Sequence, residues 1–271
     1  ESDRTTAEAT DSTQVTSLDS DGFTVGTANA TNSNTVNFVS WNWLAGGSAS
    51  SNSNGTITSS VSASTVSGFS ICTYTGNGTS GATFGHGLSS APEMVWIKQR
   101  NSTGNWRVGA TPMDSTYNKV MNLNLTNAEA SASSIFNNTA PSSTLVTLGN
   151  ESDANGNTNT FVAYCFHSVQ GYSKIGKYTG NGASGTAGSV DGPFIYCGFK
   201  PAWVIVKRLA GADQGWYMWD NRSDGFNPRN FNLEANDAVA IDDGNQRIDL
   251  LSNGFKWRVN DSIVNNSGTE Y

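Results

Sequence analysis

The residues of this 271-residue sequence that are best suited to bind a ligand form a short aromatic and polar run. The run reads Trp216, Tyr217, Met218, Trp219, Asp220, Asn221 and Arg222. In a strand, side chains alternate between two faces, so Tyr217 and Trp219 share one face and their neighbours share the other. Aromatic rings beside polar groups are the components of a sugar-binding site, because rings cover the apolar face of a sugar and polar groups hold its hydroxyls. The run also fits packing against the next structural unit or another chain, so a glycan site and an interface both stay open, with packing favoured.

A second group of polar residues is similar to a fragment of a calcium loop. Asp242, Asp243 and Asn245 lie around a glycine, and Ca²⁺ binds several carboxylate and carbonyl oxygens at once. An acidic turn at residues 19–22 has counterparts elsewhere in the chain that keep the turn and lose the carboxylates, so a tight hairpin turn is favoured there. Asp242, Asp243 and Asn245 are therefore the one weak metal candidate, and no cofactor is predicted.

Residues suited to catalysis are scarce. The two histidines are His86 and His167, and the chain has no Gly-x-Ser-x-Gly turn of the kind that holds a nucleophilic serine. His86 stands between two glycines, which predicts a turn. Glu8 and Glu129 occupy matching positions of an internal repeat, which fits a structural role better than a pair of carboxylates in one cleft. The sequence therefore predicts a protein without catalytic residues.

The cysteines predict no metal or redox chemistry. Cys72, Cys165 and Cys197 cannot all pair within one chain, and no two of them are spaced as Cys-x-x-Cys. At least one is therefore a free thiol, and each is expected to be a small buried apolar residue.

Composition predicts an all-β protein. Only 14% of residues are charged and 29 are glycine. Residues with high helix propensity are scarce, whereas Thr, Val and aromatic residues stand between clusters of Gly, Asn and Ser that favour turns. The net charge of −7 argues against a nucleic-acid partner, because such binding needs clustered Lys and Arg. No apolar stretch approaches the roughly 20 residues of a membrane helix, so no membrane insertion is predicted.

An internal repeat of a little over 100 residues organises the chain. The block Tyr74-Thr75-Gly76-Asn77-Gly78 returns as Tyr178-Thr179-Gly180-Asn181-Gly182. Further matches in the same order are Pro92 with Pro201, Lys98 with Lys207, Trp106 with Trp216, and Leu123 with Leu233. An ordered series of this kind indicates tandem copies of one structural unit.

The repeat divides the chain into four segments. Residues 67–167 form a complete copy, and residues 168–271 form a copy that lacks its last strand, because Glu270-Tyr271 matches Thr160-Phe161. Residues 1–44 match the second half of a copy, with residues 38–43 corresponding to residues 161–166. Residues 45–66 are rich in Gly, Ser and Asn and predict a linker, although Ile57 and Val61 could pin part of it to a neighbouring surface. The chain is expected to be a window on a longer polypeptide.

Each copy is expected to fold as a β-sandwich or a jelly roll. About six short strands with β-branched or aromatic residues are bounded by turn residues, which is typical of these folds. In residues 161–166 both alternating sets are apolar, so this segment is predicted to be a central strand that is covered on both faces.

Several short motifs in a fixed order carry a resemblance to a known family. They are Gly68-Phe69-Ser70, then Tyr74-Thr75-Gly76-Asn77-Gly78, then Gly85-His86-Gly87-Leu88 before Ala91-Pro92, and the aromatic strand of residues 161–166. The series resembles an uncharacterised tandem β-repeat domain of large structural proteins of tailed phages, especially marine ones, over essentially the whole chain. In the later copy, residues 185–190 replace the Gly-His-Gly-Leu block. The resemblance implies a tail fibre, a spike or a capsid-attached fibre, and it brings no catalytic motif.

We therefore expect a non-enzymatic structural protein of a phage virion, located at the extracellular virion surface. Its expected partners are other virion proteins and, in host attachment, a glycan of the host surface. Two alternatives stay open: carbohydrate-binding modules of a secreted polysaccharide-active enzyme, or a cell-surface adhesin or extracellular filament subunit.

The incomplete copies predict partners for their uncovered faces. Residues 1–44 hold half a repeat, with Phe23, Phe38 and either Trp41 or Trp43 on an apolar face. Leaving several aromatic side chains in water would cost on the order of several kcal/mol at about 25 cal/mol per Å². We expect another chain or a distant element of this chain to cover that face, and we expect a homo-oligomer, with a trimer favoured by the resemblance to fibres.

Overall fold

The computed structural model of the chain describes residues 1–242, 244 and 247–271, and it consists mainly of short antiparallel strands. The helices among these residues are single turns, α1 (Asn29–Asn32), α2 (Ser133–Phe136) and α3 (Ser152–Asn155). The prediction of an all-β fold is confirmed. In the described part of the chain, no helix is long and apolar enough to cross a membrane.

The strands are three to seven residues long in most cases, as expected where Gly, Asn and Ser interrupt the apolar segments. In chain order they are β1 (Val15–Asp19), β2 (Gly22–Val25), β3 (Ser50–Asn52), β4 (Ser59–Ser64), β5 (Phe69–Thr75), β6 (Ala82–Gly85), β7 (Met94–Gln99), β8 (Arg107–Ala110), β9 (Lys119–Asn122), β10 (Ala130–Ser131), β11 (Leu145–Leu148), β12 (Thr160–Phe166), β13 (Phe194–Tyr196), β14 (Trp203–Lys207), β15 (Trp216–Asp220), β16 (Leu233–Glu234), β17 (Ile248–Leu251) and β18 (Gly254–Trp257).

The central strand β12 organises the largest sheet. This sheet has eight strands in the order β10-β9-β8-β7-β12-β5-β4-β3. Phe161 of β12 lies opposite Tyr74 of β5 on one side and Gln99 of β7 on the other. Phe161, Ala163 and Cys165 are completely buried, and the residues between them are half-buried. The segment with two apolar faces therefore lies at the centre of the sheet.

A smaller layer covers this sheet and closes the core of residues 67–167, called here the first unit. The layer consists of the β6–β11 ladder together with α2 and α3. Phe84, Phe136 and Leu148 of the layer are buried in the same cluster as Phe161 and Val95 of the sheet. The first unit is thus a two-layer, sandwich-like arrangement.

The segment for which composition predicts a linker contains two strands of the large sheet. Within residues 45–66, β3 pairs with β4 and β4 pairs with β5. Ile57 and Val61 are buried in the core of the first unit. The polar composition of the segment reflects that β3 and β4 lie at the edge of the sheet, where most side chains contact water.

Residues 168–271, called the second unit, form two smaller sheets. Their orders are β14-β15-β16 and β13-β18-β17. Trp219 and Trp257 lie in the core of this unit, completely buried, with ring centroids 5.0 Å apart. Residues 172–179, which match β5 in sequence, form isolated bridges and not a strand.

The hydrogen bonds correct one detail of the predicted alignment of the two units. Leu123 N donates to Trp106 O at 3.0 Å, and Ala235 N donates to Trp216 O at 2.9 Å. Leu123 therefore corresponds to Ala235 and not to Leu233. The second unit holds two more residues than the first between these points.

The N-terminal 44 residues lie on the surface of both units. Strands β1 and β2 pair with each other, and Leu18 and Phe23 are exposed. Residues 38–43 form no strand. The rings of Trp41 and Trp43 pack against Trp203 of the second unit, with ring centroids 6.4 and 5.2 Å from it.

Candidate functional site

The aromatic run that could bind a glycan lies inside the molecule. Trp219 is 0% exposed and belongs to the core cluster of the second unit. Tyr217 is half-buried and stacks on Trp219 with ring centroids 6.2 Å apart. Since Trp219 is inaccessible, it cannot cover the face of a sugar. The structure contradicts the glycan interpretation of this pair.

The polar residues that follow the run form a turn. The carboxylate of Asp220 accepts hydrogen bonds from the backbone N–H groups of Arg222 and Ser223, both at 2.7 Å, and from Ser223 Oγ at 2.8 Å. Asn221 N donates to Ala202 O at 2.9 Å, and the Arg222 side chain is exposed. Asp220 is thus committed to the local turn, and these residues do not converge on a ligand.

Strand β15 has no exposed face because different parts of the chain cover its two sides. The face with Trp219 lies on the core of the second unit. The face with Trp216 packs with Val108 and Leu123 of the first unit. Trp216 Nε1 also donates to Asn122 O at 2.9 Å. The aromatic run is therefore an interface between two parts of this chain.

This interface is one part of a junction at which residues 122–129 lie against residues 207–216, called here the second junction. Glu129 N donates to Leu209 O at 2.8 Å, and Gln214 N donates to Thr126 O at 3.0 Å. The buried Lys207 Nζ donates to the same Thr126 O at 3.0 Å. Residues 122–129, the covering segment, are thus held by their backbone and by one lysine.

The same contacts recur at the first junction, where residues 1–8 lie against residues 98–106. Glu8 N donates to Arg100 O at 2.7 Å, and Gly104 N donates to Thr5 O at 2.9 Å. Lys98 Nζ donates to the same Thr5 O at 3.2 Å. The N-terminal segment therefore covers the first unit as residues 122–129 cover the second.

A tryptophan completes each junction. Trp106 Nε1 donates to Glu1 O at 3.2 Å, and Trp216 Nε1 donates to Asn122 O at 2.9 Å. In both covering segments the acceptor of the indole, the acceptor of the lysine and the backbone donor follow in the same order with the same spacing. One pattern of recognition is therefore used twice in one chain.

Burial of the two lysines sets the electrostatics of the junctions. Loss of solvent lowers the pKa of Lys207 to about 8, although Asp213 favours its charged form. Burial also lowers the pKa of Lys98, and the negative charge of Asp153 partly offsets this by favouring the charged form. A buried ammonium group is stable only with hydrogen-bond acceptors around it. The carbonyl oxygens of the covering segments supply them.

Sequence reasoning missed the junction contacts. They involve backbone groups of Thr5 and Thr126, which carry no sequence signature of their own. The available signals were the match of Lys98 with Lys207 and the match of the residues around Glu8 with those around Glu129. Joining the two signals requires knowing which surface each segment covers, and only the tertiary structure provides that.

His86 has a structural role, because both of its ring nitrogens contact backbone groups inside the first unit. It is completely buried, its Nδ1 accepts a hydrogen bond from Leu88 N at 3.1 Å, and its Nε2 lies 3.2 Å from Ser142 O. Burial lowers the pKa of His86, which favours a neutral ring that accepts at Nδ1 and donates at Nε2. His167 lies elsewhere, with Nδ1 2.9 Å from Ser168 O.

The cysteines are all free thiols. Cys72 and Cys165 are buried and Cys197 is half-buried. Burial raises the pKa of Cys197, and the contact with Cys72 together with burial raises the pKa of Cys165 well above its usual value. The prediction of at least one free thiol is confirmed.

The calcium candidate is only partly described. Asp242 pairs with Arg247 at 2.9 Å and accepts a hydrogen bond from Gly244 N at 2.9 Å. Asp243 and Asn245 lie outside the described residues. Among the residues that are described, no group of three His, Cys, Asp or Glu side chains is arranged to hold a metal ion.

An apolar groove of about 440 Å³ lies between the two units. Its lining includes residues 174–178, the strand β14, Trp43, Phe69 and Phe166. The strand β14 pairs with β15, and no other strand of the described chain pairs with it. The groove thus combines an edge strand, β14, with several aromatic side chains.

The whole chain, residues 1–271, matches the model of a family described as a domain of unknown function (DUF7483). No curated protein and no solved structure matches it.

Proposed function

Because this chain belongs to the DUF7483 family, whose function is unknown, we propose its function from its own junctions: it is a non-enzymatic structural protein that joins β-units end to end into a stiff fibre or spike of a phage virion. The observation that carries the proposal is the repeated junction, in which residues 1–8 are bound by the backbone, a lysine and a tryptophan of the first unit, and residues 122–129 are bound in the same way by the second unit. A chain that builds the same connection at regular intervals is suited to transmit force and hold a spacing, as solenoids and fibres do.

The packing between the units supports a stiff connection. Val108, Met121 and Leu123 of the first unit share one buried cluster with Trp216 and Ala235 of the second. Interfaces of this apolar kind resist domain motion, whereas a Gly/Ser linker would allow it. The phage setting comes from the motif resemblance, and the net charge of −7 fits a surface that stays soluble in prolonged contact with water. A glycan site is not included, because Trp219 is buried.

The stiffness of the connection is tested by small-angle X-ray scattering on the whole chain. We expect the scattering curve of the native chain to fit one rigid arrangement of the two units. Substituting Trp216→Ala removes the indole contact to Asn122 and opens the shared cluster, so we expect a larger radius of gyration and a broader distance distribution. The matched control is Tyr196→Ala, which removes an aromatic side chain that is 67% exposed, whereas Trp216 is 2% exposed. Equal flexibility in the native chain and in the Trp216→Ala variant would contradict the proposal.

The location is tested with antibodies raised against the purified chain. Immunogold labelling of particles and cells that produce the protein should mark a virion appendage at regular positions. Labelling of cell surfaces without particles would favour the adhesin alternative, and polysaccharide hydrolysis by a protein that contains this chain would favour the secreted-enzyme alternative. Either result would replace the virion assignment.

A further inference from the structure

We propose that the solvent-exposed face of the β13-β18-β17 sheet, called here the outer face, is a binding site for a neutral glycan. The site is separate from the aromatic run of β15, whose Trp219 lies in the core. The inference adds a binding activity to the proposed structural role, and it rests only on residues of the second unit.

Strand alternation separates the outer face of this sheet from its core face. Ile195, Leu250 and Phe255 pack in the core cluster of the second unit. The side chains one position away along each strand lie on the opposite side of the sheet, and strand pairing arranges them in two rows. One row is Phe194, Lys256 and Asp249, and the other is Tyr196, Gly254 and Leu251.

Two aromatic side chains of the outer face are open to solvent. Phe194 is 44% exposed and Tyr196 is 67% exposed. The ring of Phe194 extends over Gly254, with its Cζ 3.0 Å from the position that a Cβ atom at residue 254 would take. The ring is thus supported by the backbone of the sheet. A fixed and exposed aromatic ring is suited to cover the apolar face of a sugar.

A third exposed aromatic residue continues the row of Tyr196 and Leu251. The Asn227 side chain exchanges two hydrogen bonds with the backbone of Leu250, at 3.0 and 3.1 Å. This contact places Phe226, which is 77% exposed, at the edge of β17 beside Leu251. Three strand spacings of about 4.8 Å lie between the two ends of the row, so it is long enough for more than one sugar ring.

The other row supplies polar groups for sugar hydroxyls. Asp249 is half-buried, and in the described part of the chain its carboxylate accepts no hydrogen bond and lies 3.4 Å from Arg258 Nε. Burial raises the pKa of Asp249, as expected for a carboxylate with few donors around it. Lys256 Nζ donates to Asp191 Oδ1 at 2.5 Å. A sugar hydroxyl at this row can donate to Asp249 and accept from Lys256.

The matching face of the first unit has a different character. In each unit one strand follows the Tyr-Thr-Gly-Asn-Gly motif and pairs with a later one, so β6 matches β13 and β11 matches β18. The outward positions of the β6–β11 ladder are Thr83, Gly85, Leu145 and Thr147. None of these residues is aromatic or charged. The shared fold therefore forms without exposed aromatic residues at these positions, and those of the second unit are available for binding.

Size and charge favour a neutral glycan over other ligands. Three short strands give the outer face an area of about 200 Å². A stable protein interface buries about 800 Å² per partner, so the face is too small for a second copy of the chain. Its carboxylates, Asp191 and Asp249, lie beside the cations Lys256 and Arg258. The face thus offers no excess charge, and the net charge of −7 on the whole chain repels an anionic polysaccharide.

Affinity electrophoresis of the whole chain tests the site. The native gels contain laminarin, hydroxyethyl cellulose, galactomannan or xylan as soluble neutral polysaccharides, or alginate as an anionic one. We expect at least one neutral polysaccharide to retard the chain more than alginate does. Phe194→Ala should weaken this binding by at least about tenfold, because aromatic anchors carry most of the binding energy of a small site. The matched control is Tyr172→Ala, which removes an aromatic side chain that is 52% exposed in the groove between the units and should leave binding unchanged.

The polar row is tested by Asp249→Asn, which keeps the size of the side chain and removes its charge. Because a charged acceptor forms stronger hydrogen bonds than a neutral one, binding to the same polysaccharide should weaken. Circular dichroism of each variant checks that its fold is intact. Unchanged binding by Asp249→Asn and by Phe194→Ala together would overturn the proposal.

Other results would also overturn it. The proposal fails if none of the neutral polysaccharides retards the chain, or if alginate retards it most. Binding that survives Phe194→Ala and is lost in Tyr172→Ala would place the glycan in the groove between the units. Self-association in sedimentation velocity that Phe194→Ala abolishes would make the outer face a contact between copies. A flexible connection in the scattering experiment leaves all of these outcomes unchanged, so the two proposals fail separately.

Discussion

The first and second units differ in the segment that precedes their shared Tyr-Thr-Gly-Asn-Gly motif. Phe69–Thr75 is a seven-residue strand, because β12 pairs with one of its edges and β4 with the other. Residues 172–179 carry the same Tyr-Thr-Gly-Asn-Gly ending, but they form only isolated bridges. Between the shared Ser and Tyr the first segment has Ile71, Cys72 and Thr73, whereas the second has residues 174–177, which read Lys-Ile-Gly-Lys. Because Gly and Lys are depleted in strands, the local sequence itself favours a strand in the first unit and disfavours one in the second.

The two units agree in how a tyrosine hydroxyl closes their turn regions, through contacts that join residues 80 and 86 positions apart. Tyr74 Oη donates to Ala154 O at 2.6 Å, and Tyr178 Oη donates to Val264 O at 2.8 Å. A completely buried asparagine follows each acceptor, Asn155 in the first unit and Asn265 in the second. The turn regions therefore close in the same way with or without the central strand.

The largest expected loss of stability concerns Phe161, the second residue of the central strand. Phe161→Ala should destabilise the first unit by about 3 to 5 kcal/mol, because it empties a closed core site against Tyr74 and Phe84. Tyr271→Ala should destabilise the second unit as well, because Tyr271 is buried and its hydroxyl accepts a hydrogen bond from Asn266 N at 2.8 Å and donates one to Ser262 O at 2.9 Å. Urea denaturation combined with hydrogen exchange of each unit measures both changes. Native stability in either variant would contradict the assigned burial.

The buried asparagines should behave alike. Asn155 Oδ1 accepts from Asn77 N at 3.0 Å, and Asn265 Oδ1 accepts from Asn181 N at 3.0 Å. Replacing either asparagine by alanine leaves buried backbone groups without partners, which should cost about 2 to 3 kcal/mol. The exposed Asn157→Ala is the control and should change the free energy of unfolding by less than about 0.5 kcal/mol. A clear inequality between the two buried positions would weaken the equivalence of the two turns.

The junction lysines predict a dependence on pH. The pKa of Lys207 is about 8 in the folded chain and about 10.4 in an unfolded one. Between these values the unfolded chain binds more protons, so stability rises with pH. From pH 7 to 9.5 the native chain should gain up to about 2 kcal/mol relative to the Lys207→Met variant, measured by urea denaturation. Lys98→Met should differ from the native chain in the same direction. A native chain that loses stability relative to Lys207→Met over this range would contradict the assigned burial.

The smallest expected effect is that of the exposed ion pair at the first junction. Glu8 Oε1 accepts a hydrogen bond from Arg100 Nη2 at 3.0 Å, and both side chains are more than one-third exposed. Glu8→Gln should therefore change stability by at most about 0.5 kcal/mol, and salt should reduce the difference further. Thermal unfolding at low and high salt tests this. A loss of several kcal/mol would mean that the pair, and not the backbone contacts, holds the N-terminal segment.

Sequence reasoning reached the strands and several of their partners. Residues 161–166 are the central strand, as their two apolar faces predict, and Lys98 and Lys207 were matched before their common contacts were visible. It failed at the aromatic run, because alternation shows that Trp219 and Trp216 face opposite ways and cannot show what covers each face. It failed also in residues 45–66, where a polar composition suits both a linker and edge strands.

The sequence by itself therefore determined the all-β class, the turn positions and the order of matching blocks, since these depend on propensities and on spacing along the chain. The tertiary structure alone decided that Trp219 is buried and that the carbonyls of Thr5 and Thr126 bind lysines. The physical reason is that burial and backbone pairing depend on groups far apart in the chain.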